Sequence, residues 1–131
     1  MQYLLDMHII LWVESDSPRL SAKIKAVIGN ISNECFVSIA SLWEMSIKIS
    51  SEKLSIDISF LSYLADNNFK ILEVSSTHLN TLLTLPLHHK DPFARFKDPF
   101  DRLLIAQAIT ENFTLISADQ YFNAYPINLL Q

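Results

Sequence analysis

Four acidic residues stand where an apolar strand is predicted to end, or on the first turns of the helix that follows: Asp6, Glu44, Asp101 and Asp119. Carboxylate oxygens are the protein ligands that Mg²⁺ takes in phosphate-handling sites. Four clustered carboxylates repel one another, whereas divalent ions bound among them would make the pocket neutral or attractive to phosphate. The four acids therefore predict a divalent-metal site for phosphate chemistry.

Asp6 and Glu44 differ in how well a structural role alone would explain them. Glu44 lies four residues before Lys48, so the two could form an ion pair on a solvated helix face. Glu44 also follows Trp43 just after a predicted buried strand, where an unpaired acid would be costly. Asp6 lies between Leu5 and an apolar helix, a position that is hard to explain without a ligand.

The acids nearer the C-terminus could serve as helix caps. Asp98 precedes a proline and is predicted to be an N-cap, and Asp101 falls three residues later, where a capping box places its second polar residue. Asp119 could cap the short turn from Gln120 to Asn123. Capping and metal binding therefore both remain open for Asp101 and Asp119.

Strands and helices alternate along the chain, which predicts an α/β sandwich around a mostly parallel sheet. In such sheets the functional crevice lies beyond the carboxyl ends of the strands, so acids far apart in sequence can meet there. The predicted strands are Gln2 to Leu5, Cys35 to Ile39, Lys70 to Val74, Thr114 to Ser117 and Pro126 to Leu130, and the predicted helices are Ile9 to Val13, Ala22 to Ile28, Ser41 to Ile49, Phe60 to Leu64, Thr77 to Leu85 and Leu103 to Ile109.

A seven-residue tandem repeat leads into the helix that carries Asp101. Residues 90–96 read KDPFARF and residues 97–103 read KDPFDRL, so five of the seven positions are identical. Only the second copy has an acid at its fifth position and continues into an apolar helix, whereas the first has Ala94 there and its helix is opposed by Pro99. We therefore assign the chemistry to the second copy and interpret the first as an inserted loop. A longer loop ahead of a core helix could also let two chains exchange elements.

Composition narrows the classes of protein that remain. The 131 residues fit one domain, 1–131, and a single Gly excludes Gly-rich phosphate loops. The net charge of −4 and pI of about 5.4 argue against a broad basic face for nucleic acid. The start lacks the basic region of a signal peptide, no apolar stretch is long enough for a bilayer span, and Cys35 has no second cysteine to pair with. We expect a cytoplasmic protein without disulfides or membrane contact.

The histidines, aromatic residues and cations are predicted to have structural roles. His88 and His89 look like a metal pair, but adjacent side chains in an extended loop point in opposite directions. His8 is expected to pack beside Asp6, and His78 to lie on a helix surface. The aromatic residues recur at the spacing typical of a core: Trp12, Trp43, Phe60 and Phe69. The cations are candidate phosphate contacts, although surface charge is the simpler explanation for them: Lys48, Lys90, Arg95, Lys97 and Arg102.

Four motifs occur in a specific order and together span nearly the whole chain. They are LLDMH at 4–8, VS at 37–38 with SLWE at 41–44, LPLHH at 85–89 with DPFDRLLIAQA at 98–108, and LISAD at 115–119. Each motif alone is weak, but the four in this order and spacing resemble the PIN-domain ribonucleases of the VapC toxin type. Members of that family usually carry Thr where this chain has Met7, and a single copy of the block that is repeated here.

The resemblance implies a Rossmann-like α/β/α sandwich with a mostly parallel central sheet, and Mg²⁺ or Mn²⁺ held by a quartet that falls on Asp6, Glu44, Asp101 and Asp119. It implies endonucleolytic cleavage of RNA, a VapB-type antitoxin that blocks the site, and a homodimer. Two other functions stay open. The chain could be a catalytically weak PIN-like module that acts through partner complexes, or a nuclease directed at DNA.

Overall fold

A five-stranded sheet forms the middle layer of the protein, whose computed structural model describes residues 1–56, 60–86 and 98–131. The strand order is β3-β2-β1-β4-β5, and every neighbouring pair is parallel, as predicted. Because β1 is central, Asp6 at its carboxyl end lies in the middle of the edge where the acids were expected. The strands are β1 Gln2–Leu5, β2 Glu34–Ser38, β3 Lys70–Leu72, β4 Thr114–Ile116 and β5 Leu129–Leu130.

Helices cover both faces of this sheet because alternate strand residues point to opposite sides. Tyr3 and Leu5 belong to a core formed with α1 to α4, whereas Leu4 belongs to a second core formed with α5 and α6. The predicted α/β/α sandwich is therefore confirmed. The helices are α1 Met7–Glu14, α2 Ala22–Gly29, α3 Ile39–Ser50, α4 Phe60–Asp66, α5 Ser76–Thr84 and α6 Pro99–Glu111, and a 3₁₀ helix spans Gln120–Ala124.

Side-chain caps set several element boundaries differently from the prediction. The strand predicted to reach Ile39 stops at Ser38, because the Ser38 hydroxyl accepts a hydrogen bond from the Ala40 N–H at 3.0 Å and starts α3 there. Helix α6 begins at Pro99 with Asp98 as its N-cap. Ser21 caps α2, accepting from the Ile24 N–H at 3.2 Å.

Two residues are not where the sequence predicted them. Trp43 was expected in the core, yet its side chain is 62% exposed, because Leu42 and Met45 face the core and Trp43 is turned about 100° from Leu42. His78 was expected on the surface but is 1% exposed, since it occupies the buried side of α5 against α6. Phe60, Phe69 and Cys35 are buried as predicted, and Trp12 packs half-buried against the first core.

Part of the repeat lies outside the described residues. Residues 87–97 are not described, and they include His88, His89, Lys90, Arg95 and Lys97. The predictions made for these residues and for the first copy of the repeat stay predictions. Within the ranges that the structure covers, no helix has the length and apolar character needed to cross a bilayer.

Candidate active site

Asp6 and Asp119 are joined by one side chain at the carboxyl edge of the sheet. The Ser117 hydroxyl, directly after β4, donates a hydrogen bond to Asp6 Oδ2. The Ser117 hydroxyl oxygen in turn accepts a hydrogen bond from the Asp119 backbone N–H at 3.0 Å. This pair of bonds sets the first and last acids of the predicted quartet beside each other, although 113 positions separate them in sequence.

Asp6 is a buried carboxyl group that is well supplied with hydrogen-bond donors. It caps α1, with Oδ1 accepting from the Ile9 N–H at 2.9 Å, and its residue is 7% exposed. Burial raises the pKa of Asp6, while the bonds from Ser117 and the Ile9 N–H, and the nearby charge of His8, partly offset that rise. A buried acid that is held in place and destabilised in its charged form is suited to a cation.

Glu44 lies in the second turn of α3 and is half-buried. Its Oε2 is 3.7 Å from Lys48 Nζ, which confirms the predicted ion pair. Burial raises the pKa of Glu44, Lys48 lowers it, and the charge of Asp98 raises it again. The effect of Asp98 on Glu44 indicates that the acid on α3 lies close to the acid at the start of α6.

Asp101 and Asp98 form the α6 side of the site. The Asp98 carboxylate accepts from the N–H groups of Phe100 at 2.9 Å and Asp101 at 3.1 Å, so its predicted capping role is confirmed. Asp101 lies close enough to the other acids for their charges to affect it. Its pKa is raised from 3.8 to about 7, first by burial and then by the charges of Asp98, Glu44, Asp6 and Asp119.

The four predicted acids therefore share one electrostatic environment without yet forming a coordination sphere. Within residues 1–56, 60–86 and 98–131, no three side chains of the metal-binding types are placed to hold an ion together. Asp119 also caps the 3₁₀ helix, accepting from the Tyr121 N–H at 3.0 Å, so capping and membership of the cluster coexist.

A cavity of about 410 Å³ opens beside Asp6 and Asp119. His8 and Trp12 line it together with Tyr121, and the His8 and Trp12 rings lie 6.5 Å apart. His8 lies beside Asp6, as expected, and its charge affects that acid, but its side chain is exposed because the first turn of α1 turns Met7 and Ile9 inward and His8 outward. The cavity therefore offers an approach to the acids that is lined by rings.

Three polar residues have contacts or effects that the sequence did not reveal. Asp98 acts on both Glu44 and Asp101 besides capping α6. Arg102, a candidate phosphate contact, instead donates to the carbonyl oxygens of Pro86 at 3.2 Å and Leu85 at 3.3 Å. Gln107 is completely buried within the apolar stretch LLIAQA, and a lone amide in such a stretch is the signal that could have drawn attention to it.

The sequence comparisons agree with this architecture. The family model for the PIN domain matches residues 3–128, which is nearly the whole chain. The chain belongs to the PIN-domain family. This membership confirms the PIN-domain family that the four sequence motifs indicated.

Individual relatives of this PIN domain have names from toxin-antitoxin systems. Ribonuclease VapC22 of Mycobacterium tuberculosis is 25% identical over 124 residues, covering 93% of this chain and 90% of that protein. A VapBC2 structure from Rickettsia felis, bound to a promoter DNA fragment, matches with a TM-score of 0.70 and 20% identity over 99% of this chain and 98% of the other. FitAcB from Neisseria gonorrhoeae matches with a TM-score of 0.64 and 17% identity over 98% and 96%.

Proposed function

We propose that this PIN domain is a VapC-type endoribonuclease that hydrolyses RNA phosphodiester bonds with a divalent cation and acts as the toxin of a toxin-antitoxin pair. One observation carries the proposal: burial and four other acids together raise the pKa of Asp101 to about 7. Structural carboxylates are rarely gathered in this way, whereas catalytic and metal-binding ones often are. The name of the M. tuberculosis relative supports RNA as the substrate.

The donor set fits Mg²⁺ or Mn²⁺. Asp6, Asp101 and Asp119 would hold the cation and Glu44 would lie at its margin, all through the hard oxygen donors that these ions prefer. Positive charge would relieve the repulsion that raises the pKa of Asp101. No three described side chains are already placed to hold an ion together, so binding would require these carboxylates to approach one another. When bound, the cation supplies charge that offsets the negative charge of the scissile phosphate.

The chain's own residues would then orient and activate the reactants. The Ser117 hydroxyl holds the Asp6 carboxyl in place and offsets part of the effect of burial on its pKa, because a donor to a carboxylate favours its charged form. Glu44, half-buried and backed by Lys48, would accept a hydrogen bond from the attacking water and align it with the phosphorus. Hydrolysis adds the water oxygen to phosphorus and releases the ribose oxygen on the opposite side, which takes up a proton.

Exposed apolar side chains supply surface for protein partners. One set lies on α3 and α4, where Trp43 is 62% and Leu61 is 61% exposed, and a second lies on α5, where Leu83 is 85% exposed. Large exposed apolar groups of this kind are typical of interaction surfaces. We propose that these surfaces serve a VapB-type antitoxin and a second copy of the chain. A similar structure from Klebsiella pneumoniae is a toxin-antitoxin complex. Such a pair would act in the cytoplasm.

A nuclease assay tests the proposal directly. The wild-type protein, Asp6→Asn and the control Asp66→Asn, an exposed acid at the end of α4, are incubated with structured RNAs and with single-stranded DNA in Mg²⁺ or in EDTA. We expect RNA cleavage by the wild type and the control in Mg²⁺ only, and none by Asp6→Asn. Cleavage that survives EDTA or the Asp6 substitution would remove the metal mechanism. Preferential cleavage of DNA would favour a DNA-directed nuclease, and binding without cleavage would favour a PIN-like binding module.

A further inference from the structure

Gln107 is a fully buried amide in the middle of α6. Its neighbours Leu104, Ile105, Ala106 and Ala108 are all buried and apolar. An amide in such surroundings is costly unless its donors and acceptor find partners, and an apolar side chain of the same size would avoid that cost. The partners of Gln107 therefore indicate what the residue does.

The amide of Gln107 has a defined orientation. Its Nε2 lies 3.2 Å from the Glu73 carbonyl oxygen, which can only accept, so the nitrogen must face that side. Its Oε1 then faces Ser38 and accepts from the Ser38 hydroxyl at 2.6 Å. The Ser38 oxygen meanwhile accepts from the Ala40 N–H and caps α3. One side chain thus connects α6, the residue after β3 and the N-cap residue of α3.

His78 completes the surroundings of Gln107 without competing for its main bonds. The Ser75 N–H donates to His78 Nδ1 at 3.0 Å, so this nitrogen carries no proton and Nε2 is the donor to Glu111 at 3.1 Å. The Gln107 Nε2 lies 3.4 Å from the same Nδ1, at the long limit for a hydrogen bond. Glu73 and Ser38 are therefore the strong partners of Gln107.

Two contacts fix α3 against α6, and they show that the helices run in opposite directions. Ser38 meets Gln107 at one end, and Trp43 meets Phe100 at the other, with ring centroids 5.2 Å apart in an edge-to-face arrangement. Glu44 and Asp101 adjoin the ring contact in sequence. Each acid is six residues, or about 9 Å of helix, from the hydrogen-bonded end. The edge-to-face contact between the rings tolerates a small shift of one helix along the other, whereas the hydrogen bond forms at only one relative position of the two helices.

We propose that Gln107 is a positioning residue, whose bond from Ser38 sets the register of α3 against α6 and so the spacing between Glu44 and Asp101. This inference rests on the proposed function, because it assumes that Asp101 holds the cation and that Glu44 lies at its margin. Gln107 touches neither acid and would act only through the two helices.

The test compares Gln107→Met, which keeps volume but loses both bonds, with Thr81→Val. The Thr81 hydroxyl bonds to that of Thr110 at 2.8 Å, so this control removes another bond between α5 and α6 that does not reach α3. We expect kcat for RNA cleavage to fall about 10- to 100-fold in Gln107→Met with KM within about 2-fold. Mn²⁺ binding to the RNA-free protein, followed by electron paramagnetic resonance, should weaken about 10-fold or more. Thr81→Val should match the wild type in both measurements.

Ser38 variants test the same bond from the other side. Ser38→Thr keeps the hydroxyl and should retain wild-type kcat and Mn²⁺ affinity, whereas Ser38→Ala should reproduce the losses of Gln107→Met. The kcat of the double variant Ser38→Ala/Gln107→Met should be no lower than that of Gln107→Met alone, because both substitutions break the same hydrogen bond. This set remains informative if one variant folds poorly, since melting temperatures are recorded for all.

The outcomes separate the inference from the function beneath it. Wild-type kcat and Mn²⁺ affinity in folded Gln107→Met, or equal losses in Thr81→Val, would overturn the positioning role. Asp101→Asn provides the separate check: full cleavage by that variant would mean that the proposed function itself has failed. An inactive Asp101→Asn beside a fully active Gln107→Met would reject only the positioning role.

Discussion

The Ser117 hydroxyl donates to Asp6 Oδ2, so the last residue before the Ala118-Asp119 pair controls an acid at the end of the neighbouring strand. The pKa of Asp6 is raised by burial, and this bond is the main influence that lowers it. Ser117 therefore orients Asp6 and offsets part of the effect of burial on its pKa.

Replacing Ser117 tests that dependence. Ser117→Ala should reduce RNA cleavage about 10- to 100-fold, as the loss of a group that orients a metal ligand typically does. It should also cost about 1–3 kcal/mol in the free energy of unfolding, because a buried carboxyl loses a donor. Ser117→Thr keeps the hydroxyl and is the matched control. Kinetics and urea denaturation of both variants check the prediction, and an equally impaired Thr variant would contradict it.

The pH dependence of stability follows from Asp101. The pKa of Asp101 is about 7 in the folded protein, against 3.8 for an ordinary aspartate side chain. Between these values the unfolded chain has released the proton that the folded chain retains, so metal-free stability should fall as pH rises from about 4 to 7 and level off above. Asp6 and Glu44, whose pKa values are also raised, act in the same direction.

Asp101→Asn should remove part of that fall. At pH 8 without metal, we expect the variant to unfold about 1–2 kcal/mol less readily than the wild type, a figure reduced for the partial exposure of the site. Urea titrations from pH 5 to 8 measure this, with Asp66→Asn as the control. A wild type whose stability rises over that range would show that the acids do not repel one another as described.

His78 is predicted to contribute stability. It forms a capping box with Ser75 and bonds to Glu111, while its ring is buried between α5 and α6. His78→Ala should cost about 2–4 kcal/mol through a lost cap and a cavity. Leu83→Ala, on the exposed side of the same helix, should cost less than about 0.5 kcal/mol. Thermal melting distinguishes them, and similar melting temperatures would contradict the buried position.

Deleting Lys90 to Phe96 should leave a folded and active nuclease. The second copy of the repeat by itself supplies the Asp98 cap, the Pro99 start, the Phe100 contact with Trp43 and the Asp101 carboxylate. Circular dichroism and the RNA-cleavage assay check this prediction. A deletion variant that unfolds would mean that the first copy is part of the fold.

The acids could be predicted from sequence because local rules govern their positions. Asp6 and Asp119 follow strands, and Asp98 precedes a proline at a helix start, so short-range patterns suffice. Burial of His78 and exposure of Trp43 could not be predicted, since both depend on which helix packs against their own. Gln107 meets Ser38 across 69 positions of sequence, and nothing local to either residue announces that bond.

The place of β1 between β2 and β4 has a consequence during translation. Asp6 leaves the ribosome early, but its partner Ser117 comes 111 residues later. A nascent chain could thus not complete the proposed site until β4 has been made and has docked, and ribosome-bound chains that end before Thr114 should show no RNA cleavage. The proposed activity would begin only after almost the whole chain has been synthesised.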